Sequence, residues 1–222
     1  MVQRPDSAFR HLGCYSKVSS PRISSIVRIT PPSLVHGGSA GTTASGGTHV
    51  RATPEPATNR SRTIRYHSPE DDKKKLFSQS GLEQLRALSD GRTPAPPISS
   101  HVGLEFVSVA EGDVVMTAQP DESHYNPIGS VHGGFFATVL DSVCGCAVHS
   151  TLPAGVGYTS LEIKVSFLRP ITAETGTVTA HGWVTRRGKT AAFVEADIRD
   201  REGRVLATAS STCLIIAMGV TQ

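Results

Sequence analysis

From residue 66 onward the hydrophobic positions fall into short sets whose spacing changes at each Gly or Pro. Ser68-Pro69-Glu70-Asp71-Asp72 puts a cap and acids ahead of Leu76, Phe77, Leu82, Leu85 and Leu88, which predicts a helix ending by Asp90-Gly91. After a Pro94–Pro97 linker, residues 102–109 and 113–119 read as two strands joined by Glu111-Gly112-Asp113. Phe135 to Ser150 holds no Pro and one Gly and predicts a long apolar helix, opened by the loop Asn126-Pro127-Ile128-Gly129-Ser130-Val131-His132-Gly133-Gly134. Leu161, Ile163, Val165 and Phe167 alternate with Glu162, Lys164 and Ser166, a half-buried strand. Residues 176–185 and 190–198, separated by Arg186-Arg187-Gly188-Lys189, and residues 205–216 after Glu202-Gly203 add three more strands. Tight glycine turns imply antiparallel neighbours, because a parallel pair needs a long crossover. One apolar helix between a hairpin and four strands predicts an α+β architecture, the helix wrapped by the sheet.

Residues 1–65 break this pattern. They are rich in Ser, Gly, Pro, Thr and Arg, and their only apolar cluster is Ile23, Ile26, Val27 and Ile29. Such a stretch cannot bury enough surface to offset chain entropy. It reads as a disordered basic leader or extension, with an organellar transit peptide as the other reading. Residues 66–100 then form a helix and Pro-rich linker, and residues 101–218 the domain proper. The charge follows the same division. Nine basic side chains and two acidic ones in residues 1–65 leave that segment at +7, against −4 for the remainder, although the whole chain of 222 residues is +3. The basicity that invites a nucleic acid or an acidic membrane as partner therefore lies outside the domain.

Composition narrows the setting. No run reaches the roughly 18 apolar residues of a membrane helix, and no apolar stretch marks a secretory signal. Cys14, Cys144, Cys146 and Cys213 form no CxxC pair, which fits a reducing compartment. The expected place is the cytoplasm, or an organelle matrix if the leader is a transit peptide. Cys144 and Cys146, two apart on a helix, face apart and read as core. His124, His132 and His149 lack zinc-site spacing, so no metal is expected. The phosphate loop GxxxxGK[ST] and the nucleophile elbow GxSxG are both absent.

Two features carry chemistry. Gly133 and Gly134 open the long helix, where the first amides lack intrahelical partners and the dipole favours negative charge. That arrangement suits an oxyanion hole, a plain anion site, or a turn that merely needs glycine. Asp141 lies mid-helix in the most apolar stretch, flanked on its face by Thr138, Ser142 and Gly145, which resembles a close contact more than a solvated stripe. Eight residues separate Gly133 from Asp141, about 12 Å along a helix axis. They cannot act on one carbonyl from one chain, so a site using both spans a two-fold dimer interface.

The run Asn126 through His132-Gly133-Gly134 to Asp141, then Ser160 to Pro170 (SLEIKVSFLRP) and Arg187-Gly188-Lys189, resembles the hotdog-fold acyl-CoA thioesterases of the PaaI-like, phenylacetate-pathway type over roughly residues 73–217. The resemblance implies a long central helix wrapped by a curved antiparallel sheet, in dimers that often pair into tetramers. It implies an acyl-CoA substrate of small, medium-chain or aryl type, with CoA entering as part of the substrate and no separate cofactor. Asp141 would attack the thioester or activate water, Gly133 would present its amide to the thioester oxygen, and Asn126 would orient thioester or water. Ser160 would place the water, with Thr159 beside it as the neighbouring alignment. His132 is either a base or, as the family implies, a support for the loop. Arg186, Arg187, Gly188 and Lys189 form a basic turn that is either solvated or, with Arg169, near the coenzyme A phosphates. Gly134 is a further binding candidate, and Phe135, Phe136 and Leu140 are candidates for the acyl pocket. The competing function is an acyl-CoA-binding sensor that does not hydrolyse; a hotdog dehydratase is a weaker alternative, because its Asp/His pairing is not evident.

Overall fold

A computed structural model of the chain describes residues 60–68 and 78–218. Its elements run α1 (Gly81–Ser89), α2 (Pro97–Val102), β1 (Glu105–Ala110), β2 (Asp113–Ala118), α3 (Gly133–Ser150), β3 (Val156–Phe167), β4 (Val178–Arg187), β5 (Ala191–Arg199) and β6 (Val205–Ala217). The six strands form one sheet in the order β1-β2-β4-β5-β6-β3, antiparallel throughout. This is the expected α+β hotdog architecture, with α3 as the central helix.

The core lies between α3 and the face of the sheet packed against it. Val139, Leu140, Val143, Cys144, Ala147 and Val148 of α3 are fully buried. The strands answer with Ala180, Ala192, Ala196 and Ala207 among Val178, Val194 and Ile198. Small residues let the helix come close. At Gly182 of β4 a Cβ would stand 2.6 Å from the Val143 carbonyl oxygen, so helix backbone rests directly on strand backbone. Gly112 turns β1 into β2 at φ 73°, and its N–H donates to Ser150 Oγ at 2.7 Å, fixing that hairpin to the end of α3.

Several boundaries differ from the expectations. The helix expected from Ser68 begins at Gly81, where Ser80 and Glu83 form a capping box; residues 69–77 lie outside the described residues. The Pro94–Pro97 linker runs into α2, which has Pro97 in its first turn and Gly103 in the left-handed region at its end. β1 starts three residues later than expected and β3 at Val156, five residues before Leu161. Residues 60–65, expected with the leader, lie against the domain through Arg60 and Arg62; residues 1–59 lie outside the described residues.

Strand β3 is not one uninterrupted alternation. Ser160 pairs with Cys213 and Glu162 with Thr212, so Leu161 is an extra, bulged residue. Before it Tyr158 and Ser160 face α3; after it Ile163 and Val165 do. Leu161 itself is 59 % exposed and belongs to neither inward set. Val107, the bulged residue of β1, is likewise 60 % exposed.

Candidate active site

The loop before α3 is closed at its neck by a bridge between Tyr125 and Val131 and by the His132 N–H donating to the His124 carbonyl at 2.8 Å. Asn126 organises the interior. Its Oδ1 accepts from Ile128 N–H at 3.0 Å, its Nδ2 donates to Ser130 Oγ at 3.2 Å, and its backbone N–H donates to the Ser130 carbonyl at 2.8 Å. Asn126 therefore shapes the loop that presents the helix, whatever else it touches.

His132 is the N-cap of α3. Its Nδ1 accepts from the Gly134 N–H at 2.9 Å, which places the proton of a neutral ring on Nε2. The cap occupies the Gly134 amide. The Gly133 N–H has no hydrogen bond among the described residues and lies at the positive end of the helix dipole. Of the two glycines, Gly133 is the one with a free donor. The Phe167 ring lies over it, where a Cβ would come within 3.1 Å of Cζ.

Eight residues further along α3, Asp141 is exposed at the sheet edge, and Ser160 Oγ donates to its Oδ1 at 2.9 Å. Strand parity selects Ser160 over Thr159, whose side chain is exposed on the other side of β3. The neighbouring hydroxyls do not compete for the carboxylate. Thr138 Oγ1 donates to the Gly134 carbonyl at 2.9 Å and Ser142 Oγ to the Thr138 carbonyl at 2.7 Å, both turned back onto their own helix. A cleft of about 400 Å³ opens here, lined by Ala137, Thr138, Asp141, Ser160, Leu161, Glu162 and Ile163. Glu162 and Leu161 had no earlier assignment in this cleft; the bulge puts two consecutive residues at its rim, a feature that period-two patterning hides.

Beneath the pair the surroundings are apolar and protonated. Burial first, then Cys213 and Asp141, push the Cys144 thiol up to about 12, and burial with Asp141 does the same to Cys146. Neither is a thiolate at neutral pH, so they are core residues. Phe135 and Phe136, expected to face the acyl group, are given to the core, with Phe136 edge-on to Phe167 at 5.5 Å and Phe135 against His124 at 4.8 Å. Leu140 is buried with them, because residues two, three and seven beyond Gly133 point to the sheet.

The basic turn joins β4 to β5. Arg186, Arg187 and Lys189 are exposed, and the Gly188 N–H donates to the Ala191 carbonyl at 2.8 Å. Arg187 pairs with Ala192, Ala192 with Cys213 and Cys213 with Ser160, which sets Arg187 in the cross-strand row of Ser160, three strands and about 14 Å away. Arg169 is not part of that cluster; its guanidinium donates to the Val205 carbonyl.

Comparison with known proteins agrees with this fold. A family profile described as "Thioesterase superfamily" matches residues 128–207. Human acyl-coenzyme A thioesterase 13 is 30 % identical over 138 residues, covering 61 % of this chain and 94 % of its own length. Among solved structures, a phenylacetic acid degradation-related protein of Ralstonia eutropha JMP134 is 28 % identical with a TM-score of 0.54, over 58 % of this chain and 97 % of its own. The E. coli PaaI protein of the phenylacetic acid degradation operon, 23 % identical with a TM-score of 0.54 over 63 % of this chain and 96 % of its own, shares the fold. The chain belongs to the thioesterase superfamily. It is a thioester hydrolase of the hotdog, PaaI-like type. No helix among the described residues is long and apolar enough to cross a membrane.

Proposed function

We propose that the protein hydrolyses an acyl- or aryl-coenzyme A thioester to the free acid and coenzyme A, in a site completed by a second copy of the chain. The observation that carries this reading is the Ser160–Asp141 pair, a hydroxyl donating at 2.9 Å to a carboxylate in an open cleft. The kinship with acyl-coenzyme A thioesterase 13 supports the substrate class.

With Oδ1 engaged by Ser160, Asp141 Oδ2 and a lone pair of Ser160 Oγ remain as acceptors for one water. The carboxylate takes a proton from that water as its oxygen adds to the thioester carbonyl. The oxyanion so formed needs a donor that Asp141's own helix start, about 12 Å away along α3, cannot bring. The Gly133 amide of a two-fold partner supplies it, as a fixed dipole at a helix N-terminus. Collapse of the adduct breaks the C–S bond, and the departing thiolate takes the proton back from Asp141. The chemistry rests on side chains, an amide and water, with no resident cofactor.

The partner meets this site through β3. It is a 12-residue edge strand with one side of its ladder unpaired in the chain, and Leu161, Phe167 and Leu168 beside it are each more than half exposed. Pairing of two such edges places each cleft next to the other copy. The Arg186–Lys189 turn offers cations to the phosphates of coenzyme A, and Ala137, Leu161 and Ile163 form the apolar side of the cleft for the acyl group.

Release of free thiol from a panel of coenzyme A esters tests the reading. Asp141→Asn is expected to lower kcat by at least about a hundredfold, within the range for losing a positioned acid or base. Near wild-type turnover by Asp141→Asn overturns the assignment, and tight binding of every ester with no thiol released marks a sensor instead. In a single turnover in ¹⁸O water, direct attack by water labels the product acid, whereas attack by Asp141 labels the aspartate.

A further inference from the structure

We infer that Arg62, outside the sheet and helix of the domain, is a positioning residue for the Gly133 amide, because it clamps the turn from which α3 is hung; this rests on the oxyanion role given to Gly133 above. The support of α3 can be followed residue by residue. The His132 cap is tied by its N–H to the His124 carbonyl, and the His124 ring packs on Phe135 in the first turn of α3, centroids 4.8 Å apart. His124 ends a short 3-10 turn, Glu122–His124. Asp121 caps that turn: its Oδ1 accepts from the Ser123 N–H at 2.7 Å and from Ser123 Oγ at 2.5 Å, and its own N–H donates to His124 Nδ1 at 3.0 Å.

His124 ties that turn to the rest of the domain through the His132 N–H, the Phe135 ring and the His101 carbonyl. Arg62 adds a tie from outside. Its Nη1 donates to Ser123 Oγ at 3.1 Å and lies 3.2 Å from Asp121 Oδ2. Its Nη2 donates to the Ser100 carbonyl at the end of α2, at 3.2 Å. His124, whose Nδ1 accepts from the Asp121 N–H, donates from Nε2 to the His101 carbonyl at 2.9 Å. One planar guanidinium thus joins the docked segment 60–68, the last turn of α2 and the turn that carries His124. A lysine ammonium has neither the fork nor the reach to meet acceptors on separate elements. Arg60, two residues earlier, makes among the described residues an exposed ion pair with Glu122, a contact of the kind that contributes little.

The clamp matters for rate because an oxyanion donor acts through its placement. A misplacement of about 1 Å at a reacting group costs on the order of a hundredfold, and loss of the donor itself 10²–10³. Loosening the turn, with the amide still present, falls below both. Loss of an interaction made only in the transition state lowers kcat and leaves KM unchanged.

The experiment compares the full-length protein with Arg62→Ala, Arg62→Lys, Arg65→Ala and Asp141→Asn, using thiol release from one coenzyme A ester, thermal unfolding, and hydrogen exchange over residues 121–134. Arg62→Ala is expected to lower kcat about tenfold with KM within about twofold, to speed exchange at residues 123–134, and to regain part of its rate with added methylguanidinium. Arg62→Lys behaves like the alanine variant, and Arg65→Ala, whose side chain is exposed with no polar partner among the described residues, like the wild type. Wild-type kcat and exchange in Arg62→Ala, with Asp141→Asn inactive, overturn the clamp. So does a loss of rate matched in full by a smaller folded fraction. If Asp141→Asn keeps its activity, the catalytic reading itself fails, and the exchange of residues 123–134 still decides whether Arg62 holds the turn.

Discussion

Ser160 gives Asp141 one charge-assisted hydrogen bond, and bonds of that kind contribute about 1.5–3 kcal/mol. Ser160→Ala is accordingly expected to cut kcat about ten- to hundredfold, at 1.4 kcal/mol per factor of ten, with Thr159→Ala close to wild type; steady-state kinetics check both. His149 shows a different residue-scale effect. Its Nε2 meets Gln84 Oε1 at 3.2 Å, its Nδ1 is buried without a partner, and burial holds its pKa below the ordinary histidine value. The unfolded chain then binds this proton at a higher pH than the folded one. The stability contributed is complete above the unfolded value of about 6.5 and is lost as pH falls through the lower folded value. Urea unfolding from pH 7.5 to 5 is expected to show this decline, and His149→Phe to flatten it. Asp141 could be singled out in the sequence as the lone carboxylate of an apolar helix, and the structure sets it exposed at the sheet edge, clear of the core. The choice of Ser160 over Thr159 could not be read there, since it depends on which side of β3 faces α3.

At the scale of elements, α3 and β3 fit by size. Gly145 on α3 lies under the Tyr158 phenol of β3, whose own ionisation burial raises well above the ordinary tyrosine range. A methyl group at Gly145 overlaps the Tyr158 hydroxyl. Gly145→Ala should therefore destabilise by about 1–3 kcal/mol despite alanine's better helix propensity. The melting temperature drops by about 2–4 °C per kcal/mol in a domain of this size, and Tyr158→Phe in the same chain recovers part of it. Strand and helix identities were readable where spacing and glycine turns agree, as in α3, β2 and the β4–β5 hairpin. They were hidden where composition misleads. Gly155 and Gly157 disguise the first half of β3, and the prolines ahead of α2 look like a linker although Pro97 and Gly103 bracket a helix. Bulges at Val107 and Leu161 leave no periodic trace, because an extra residue changes the face and not the composition.

For the whole molecule, the strand order and the edge position of β3 depend on long-range pairing that no local pattern encodes. The separation of Gly133 from Asp141 was legible, because helix rise alone sets it. It gives the assembly a test of its own. Asp141→Asn and Gly133→Val, each inactive alone, should regain about a quarter of wild-type activity when unfolded and refolded together, since half the dimers are mixed and each has one intact site. Mixtures as inactive as their parents place the site within one chain. The two margins of the sheet also differ. β1 is six residues long, carries a bulge and begins on Glu105, whereas β3 offers 12 residues of ladder. Once β3 is mated to its own copy about a two-fold axis, both outer margins of the doubled sheet are β1, the kind of short, charged, irregular edge that resists further addition. Edge-to-edge growth then stops at two chains. In the proposed dimer, the asymmetry of each protomer would set the stoichiometry of the sheet and deny it a route to fibres.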